Sequence, residues 1–112
     1  MNQNEVNRII TEKVLGECWH ILHMIQDGCY ICTACGKEYG RYCLRPINPD
    51  FSQWEHYGPL LEKIQGEGYW RELAYRESAQ GCFRESLLNP TTGSHAIAEF
   101  VVAHSELFGE VE

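Results

Sequence analysis

The sequence predicts an α+β fold. Amphipathic helical periodicity marks both ends, a cysteine- and aromatic-rich stretch cut by glycine turns lies near the start, and proline-bearing joints separate the blocks. Asn2, with Glu5 three residues on, supplies an N-cap and a carboxylate in the first turn, and Val6, Ile9, Ile10 and Val14 recur at helical spacing until Gly16. A helix over residues 3 to 15 follows. Between Cys18 and Cys43 the residues are aromatic, β-branched or cysteine, with Asp27-Gly28, Gly36 and Gly40 as turn points, which predicts a hairpin of short strands. The run Pro46-Ile47-Asn48-Pro49-Asp50 disfavours helix before each proline and reads as an extended connector.

Ser52 to Glu55 has the form of a capping box, and Trp54, Tyr57, Leu61 and Ile64 mark one helical face. A helix over 52 to 65 is expected, kinked or restarted at Gly58-Pro59 because an interior proline costs about 3 kcal/mol. Residues 69 to 77 are aromatic-rich and read as a strand, although Trp70, Leu73 and Ala74 also suit a helix. The turn at Ser78 to Gly81 and a short run from Cys82 to Leu88 then complete a second hairpin. Asn89-Pro90 opens a last helix through Ala96, Ile97, Phe100, Val101 and His104 that ends near Phe108-Gly109. The expected order is α-β-β-α-β-β-α, with the two hairpins joined in one antiparallel sheet covered by helices, an α/β/α sandwich.

At 112 residues, 44% of them hydrophobic, the chain fits a single domain, 1 to 112, that supplies its own core. The polar start and the lack of any apolar run near the ~18 residues needed for a span argue against secretion and membrane insertion. A cytoplasmic protein with reduced thiols is expected, and clustered thiols in that compartment more often bind metal than form disulfides. The net charge of −7 argues against a general polyanion binder and favours a neutral or basic partner.

The chemistry-bearing cluster is Cys18, His20, Cys32 and Cys35. Cys32 and Cys35 are spaced as a zinc knuckle followed by Gly36, which lets the backbone turn with its amides toward the sulfurs. Cys18 and His20, one residue apart, would share one side of a strand and form the second pair. Three thiolates and a neutral imidazole around Zn2+ leave one net negative charge, tolerable in a structural site within a zinc-stapled hairpin spanning 17 to 45. Cysteine also packs as a small hydrophobe, and that reading would hold for an isolated pair; the second Cys/His pair favours metal. His23, Cys29 and Cys43 lie close enough in sequence to replace one ligand, whereas Cys82 is remote and reads as a core residue.

Catalysis has little support. A closed four-ligand site lacks the open position a catalytic zinc needs. The zinc-deaminase pattern fails because His20 is followed by Ile21-Leu22 and Cys32 is preceded by Ile31. His56, His95 and His104 lie on predicted helices, and no phosphate loop, nucleophile elbow or paired-carboxylate motif is present. Lys37, Arg41 and Arg45, interleaved with Tyr39 and Tyr42 and set against Glu38, could form a nucleic-acid contact on the hairpin or simply a solvated face; so few cations could neutralise few phosphates.

The helix ending near Leu15-Gly16, the Cys18-Trp19-His20 run, the Cys32/Cys35 knuckle, Asn48-Pro49-Asp50-Phe51, the Trp54 helix, and Asn89-Pro90 ahead of Ala-Ile-Ala-Glu-Phe together resemble small phage and prophage proteins of the phage ABA sandwich domain group. The resemblance implies an α/β/α sandwich of phage or prophage origin acting in the cytoplasm of a bacterial host. It carries no activity with it. The leading expectation is a non-enzymatic accessory protein that binds a host protein; nucleic-acid binding through the hairpin is the alternative, and a small-ligand-binding protein or enzyme the third. Self-association is left open.

Overall fold

A computed structural model describes residues 1–40, 48–79 and 87–111, and for 76–79 the backbone alone. Helix α1 (Gln3–Ile9) starts as the sequence predicts: Asn2 accepts the Glu5 amide at 2.8 Å and its own side-chain amide reaches the Glu5 carboxylate at 2.9 Å. From Ile10 to Val14 the helix widens to a π-turn, with the Leu15 amide bonded to the Ile10 carbonyl. The buried Thr11 hydroxyl donates to the Asn7 carbonyl at 2.8 Å, competing with the normal ladder where the widening begins. Gly16, at φ 65°, ends the helix in a conformation that costs a glycine little.

The hairpin forms where expected. Strand β1 (Leu22–Gln26) pairs antiparallel with β2 (Cys29–Cys32) across Asp27-Gly28, and Gly28 takes φ 77°. A two-residue strand β3 (Glu38–Tyr39) adds to β2, giving the order β1-β2-β3. Cys18 and His20 do not sit on a strand; they precede β1 in irregular backbone. What holds this lead-in is Asn48, whose side chain both accepts the His20 amide and donates to the His20 carbonyl, each at 2.8 Å, imitating a strand neighbour.

Helix α2 (Trp54–Gln65) begins two residues later than the expected span of 52 to 65, because the Ser52 hydroxyl and amide turn back to the Asp50 carboxylate at 2.7 and 3.0 Å. It runs through Pro59 without a restart. Tyr57, Leu60 and Ile64 are buried while Pro59 faces outward, so packing of one face outweighs the bond the proline removes.

The largest correction concerns residues 69 to 77. They form helix α3 (Trp70–Ala79), not a strand. Burial falls at Trp70, Leu73 and Ala74 while Tyr75 is 77% exposed, the i, i+3, i+4 pattern of a helix rather than alternation. The second hairpin is therefore not formed: Ser78 belongs to α3, Leu87 and Leu88 have helical backbone, and the rest of that expected strand, with Cys82, lies outside the described residues. Helix α4 (Pro90–Ala103) is capped as predicted, Asn89 accepting the Thr91 and Thr92 amides at 3.0 and 3.4 Å. It stops earlier than expected, at His104, before a short α5 (Ser105–Phe108).

Helix α4 is the centre of the molecule. It buries residues on most of its circumference, and α1, the π-turn, α2, α3 and α5 all pack against it. The core consists of Val6, Ile9 and Ile10 from the first helix, Phe51, Tyr57, Leu60 and Ile64, Leu73, and Ile97, Ala98, Phe100 and Val101. No hairpin residue among those described belongs to it. The fold is α+β, but as a helical body with a small sheet appended; the layered sandwich order is not seen among the described residues. The radius of gyration of 15.6 Å and extents of 52 × 27 × 24 Å match such an elongated arrangement, since a compact chain of this length would have a radius near 13 Å. No helix among the described residues is long and apolar enough to cross a membrane.

Candidate metal centre

Two backbone segments build the site. The lead-in supplies Cys18 and His20, and its position is fixed by Asn48 and by the Glu17 amide bonded to the Thr11 carbonyl at 2.9 Å. The second segment is the turn after β2. The Gly36 amide closes on the Cys32 carbonyl at 2.8 Å and the Cys32 amide on the Lys37 carbonyl at 2.9 Å, and Gly36 adopts φ 79°. That left-handed step lets Cys32 and Cys35 point the same way. The Thr33 amide bonds the Ile21 carbonyl at 2.9 Å and joins the two segments.

The side chains of Cys18, His20, Cys32 and Cys35 converge, with one ligand atom from each within 4.8 Å of the others. Cys18 Sγ lies 3.9 Å from Cys32 Sγ, and Cys35 Sγ lies 3.4 Å from His20 Nδ1. A tetrahedron with metal–sulfur bonds of about 2.3 Å and metal–nitrogen bonds of about 2.0 Å has edges of about 3.8 Å between sulfurs and about 3.5 Å between sulfur and nitrogen. Both observed distances match those edges. The cluster can therefore hold a metal ion.

The electrostatics agree with the geometry. Burial opposes ionisation of Cys32, yet the Cys35 amide, the His20 ring and the amides of Ala34 and Ile21 outweigh it and lower its pKa to about 5. Cys18 is pushed the other way, to about 11, by burial and by the neighbouring Cys35 and Cys32 sulfurs. Neighbouring sulfurs this close resist ionising together unless a cation sits between them. Around the site the Tyr39 ring meets the His20 ring edge-on at 5.5 Å, and the Lys37 ammonium lies 5.4 Å over Tyr39, so a cation–π contact backs the imidazole.

The substitute ligands considered from sequence do not join the cluster where they are described. His23 is exposed on β1, and Cys29 lies at the far end of β2, its sulfur accepting from Gln26 at 3.7 Å. Cys43 lies outside the described residues, as do Arg41, Tyr42 and Arg45, leaving Lys37 and Tyr39 as the described part of the basic and aromatic set. The positioning residue that sequence reasoning missed is Asn48. Its signal was an asparagine before Pro49, read there only as connector chemistry.

The strap from Asn48 to Phe51 also grips the helical body. Buried Asn7 donates to Asp50 at 3.2 Å, accepts the Phe51 amide at 3.0 Å, and accepts Gln3 Nε2 at 2.9 Å, while Gln3 reaches the buried Ser94 at 3.1 Å. Hairpin and body are thus joined through four consecutive residues. No protein-family model, curated protein or solved structure matches this chain.

Proposed function

We propose that this protein is a non-enzymatic binding protein whose exposed hairpin is held in shape by one structural zinc ion on Cys18, His20, Cys32 and Cys35. The observation that carries the reading is the convergence of three sulfurs and an imidazole within 4.8 Å of one another, with the two closest pairs at tetrahedral-edge distances. Soft sulfur donors with one imidazole suit zinc in preference to the oxygen-seeking cations. Four protein ligands fill its coordination, so the ion stabilises and does not catalyse.

What the ion stabilises is a surface. Ile21, Met24, Ile25 and Tyr30 are exposed on the hairpin, outside the helical core, and apolar groups so displayed suit contact with another macromolecule. The net charge of −7 favours a neutral or basic protein as partner. With the motifs shared with phage sandwich proteins, the reading is an accessory protein of phage or prophage origin acting on a host protein in the bacterial cytoplasm.

Elemental analysis of protein purified without added metal tests the first part, with one zinc per chain expected. A metal-free chain that melts at the same temperature with and without added zinc would overturn it. Affinity capture from host lysate tests the second part, and failure to recover a stoichiometric partner would count against it.

A further inference from the structure

The three sulfurs of the centre are not equivalent. Cys32 is 1% exposed, its sulfur 3.9 Å from that of Cys18. Cys35 is exposed on the outer side of the knuckle, with its sulfur against His20 Nδ1. Cys18 is half-buried, its sulfur beside that of Cys32 and within 4.8 Å of that of Cys35. Attack by a dissolved oxidant needs access to the sulfur. Cys35 is the cysteine of the centre that solvent meets first, and Cys32 is shielded by the fold.

We propose that Cys35 is an oxidation-sensitive modification site, and that a peroxide converts the centre to a Cys18–Cys35 disulfide with release of its cation. This rests on the zinc reading above. The Cys35 thiolate takes one oxygen from hydrogen peroxide as the O–O bond breaks, and the other oxygen leaves as water after taking a proton. The Cys18 thiolate then attacks the resulting sulfenic sulfur, the S–S bond forms, and the departing hydroxide takes a second proton to become a second water. Two thiolates lose two electrons in all and the peroxide gains them. Cys18 is the resolving thiol because it is only half-buried and lies within 4.8 Å of Cys35, whereas Cys32 is buried. Only Cys32 and His20 then remain to the ion, too few for a stable tetrahedral site. The new bond keeps the lead-in tied to the knuckle, so a thiol reductant with zinc can restore the centre.

The test uses the whole chain as purified, with its metal content measured first. Hydrogen peroxide is added from substoichiometric amounts upward, zinc release is followed with a chromogenic chelator, and the cysteines are mapped by differential alkylation and mass spectrometry. Cys35 and Cys18 should lose alkylation together, several-fold ahead of Cys32 and Cys29, with one zinc released per disulfide and recovery on adding dithiothreitol and zinc. The Cys29→Ser variant, altered outside the centre, should behave identically. Oxidation of Cys32 or Cys29 first, or a Cys35 that proceeds to sulfinic acid while Cys18 stays free, would overturn the proposal. Zinc that stays bound after Cys35 is oxidised would do the same while leaving the structural zinc reading intact. A metal-free starting protein in which the Cys18–Cys35 bond still forms first would support the site and remove only the zinc reading.

Discussion

At the scale of single residues, chemically similar cysteines have different work because of where the backbone puts them. Cys32 is buried in the centre and Cys29, three residues earlier on the same strand, points elsewhere. Cys32→Ser should therefore lose most of the bound zinc and destabilise the hairpin by on the order of a few kcal/mol, a part of the large folding free energy that a structural zinc supplies. Cys29→Ser should keep full metal content and melt near the parent protein. Metal analysis alongside thermal melts checks both, and equal losses would point to ordinary packing. Asp50 offers a pH signature. The Ser52 hydroxyl, aided by the Ser52 amide, Asn7 and the nearby His56, outweighs partial burial and holds its carboxyl below the usual range. A depressed folded value adds stability that is complete above the ordinary carboxylate pKa and is lost as pH falls through the folded one. The stability advantage of the parent over Asp50→Asn, measured by denaturant melts from about pH 6 to about pH 2, should shrink steadily toward acid. A constant difference would show that the charge of Asp50 contributes nothing.

At the scale of elements, the informative segments are those where local preference and packing disagree. Residues 70 to 79 carry enough aromatic character to suggest a strand, yet Leu73 faces the core and Tyr75 faces water, and a helix is the conformation that separates them. Helix α2 tolerates Pro59 for a related reason, since the side chains that fix its position lie on the opposite face. The Asn48–Phe51 strap is irregular in backbone but specific in bonding, and it decides how the hairpin meets α1. Asn48→Ala leaves the amide and carbonyl of His20 without that partner. The expected cost is about 1–3 kcal/mol, with faster zinc loss to a chelator because one pair of ligands loses its support. An Asn48→Ala variant that retains parental stability and chelation rate would show that Asn48 does not help to hold the lead-in.

At the scale of the whole molecule, two parts are stabilised by different physics. The helical body buries a continuous apolar cluster around α4, with Tyr69, Phe100 and Phe108 packed ring against ring at 4.9–6.1 Å. Among the described residues, the hairpin gives nothing to that cluster and has one fully buried side chain, Cys32. A two- or three-stranded sheet of this size is marginal in water without a staple. Chelation of the proposed zinc ion should therefore abolish hydrogen-exchange protection across residues 22–39 while leaving that of α1 and α4 largely intact. Loss of protection in α4 to the same degree would mean that the two parts fold as one cooperative unit.

The sequence by itself determined the pieces whose causes are local: the Asn2 and Asn89 caps, the Asp27-Gly28 hairpin, and the turn that pairs Cys32 with Cys35. Capping bonds, turn dihedrals and ligand spacing all act within a few residues, so they can be read along the chain. Tertiary structure alone decided that α3 is a helix, that α4 rather than a sheet is the centre of the core, and that Asn48 sets the position of His20. Those outcomes depend on which distant surfaces meet, and burial of apolar area, being non-directional, leaves no local mark of its partner.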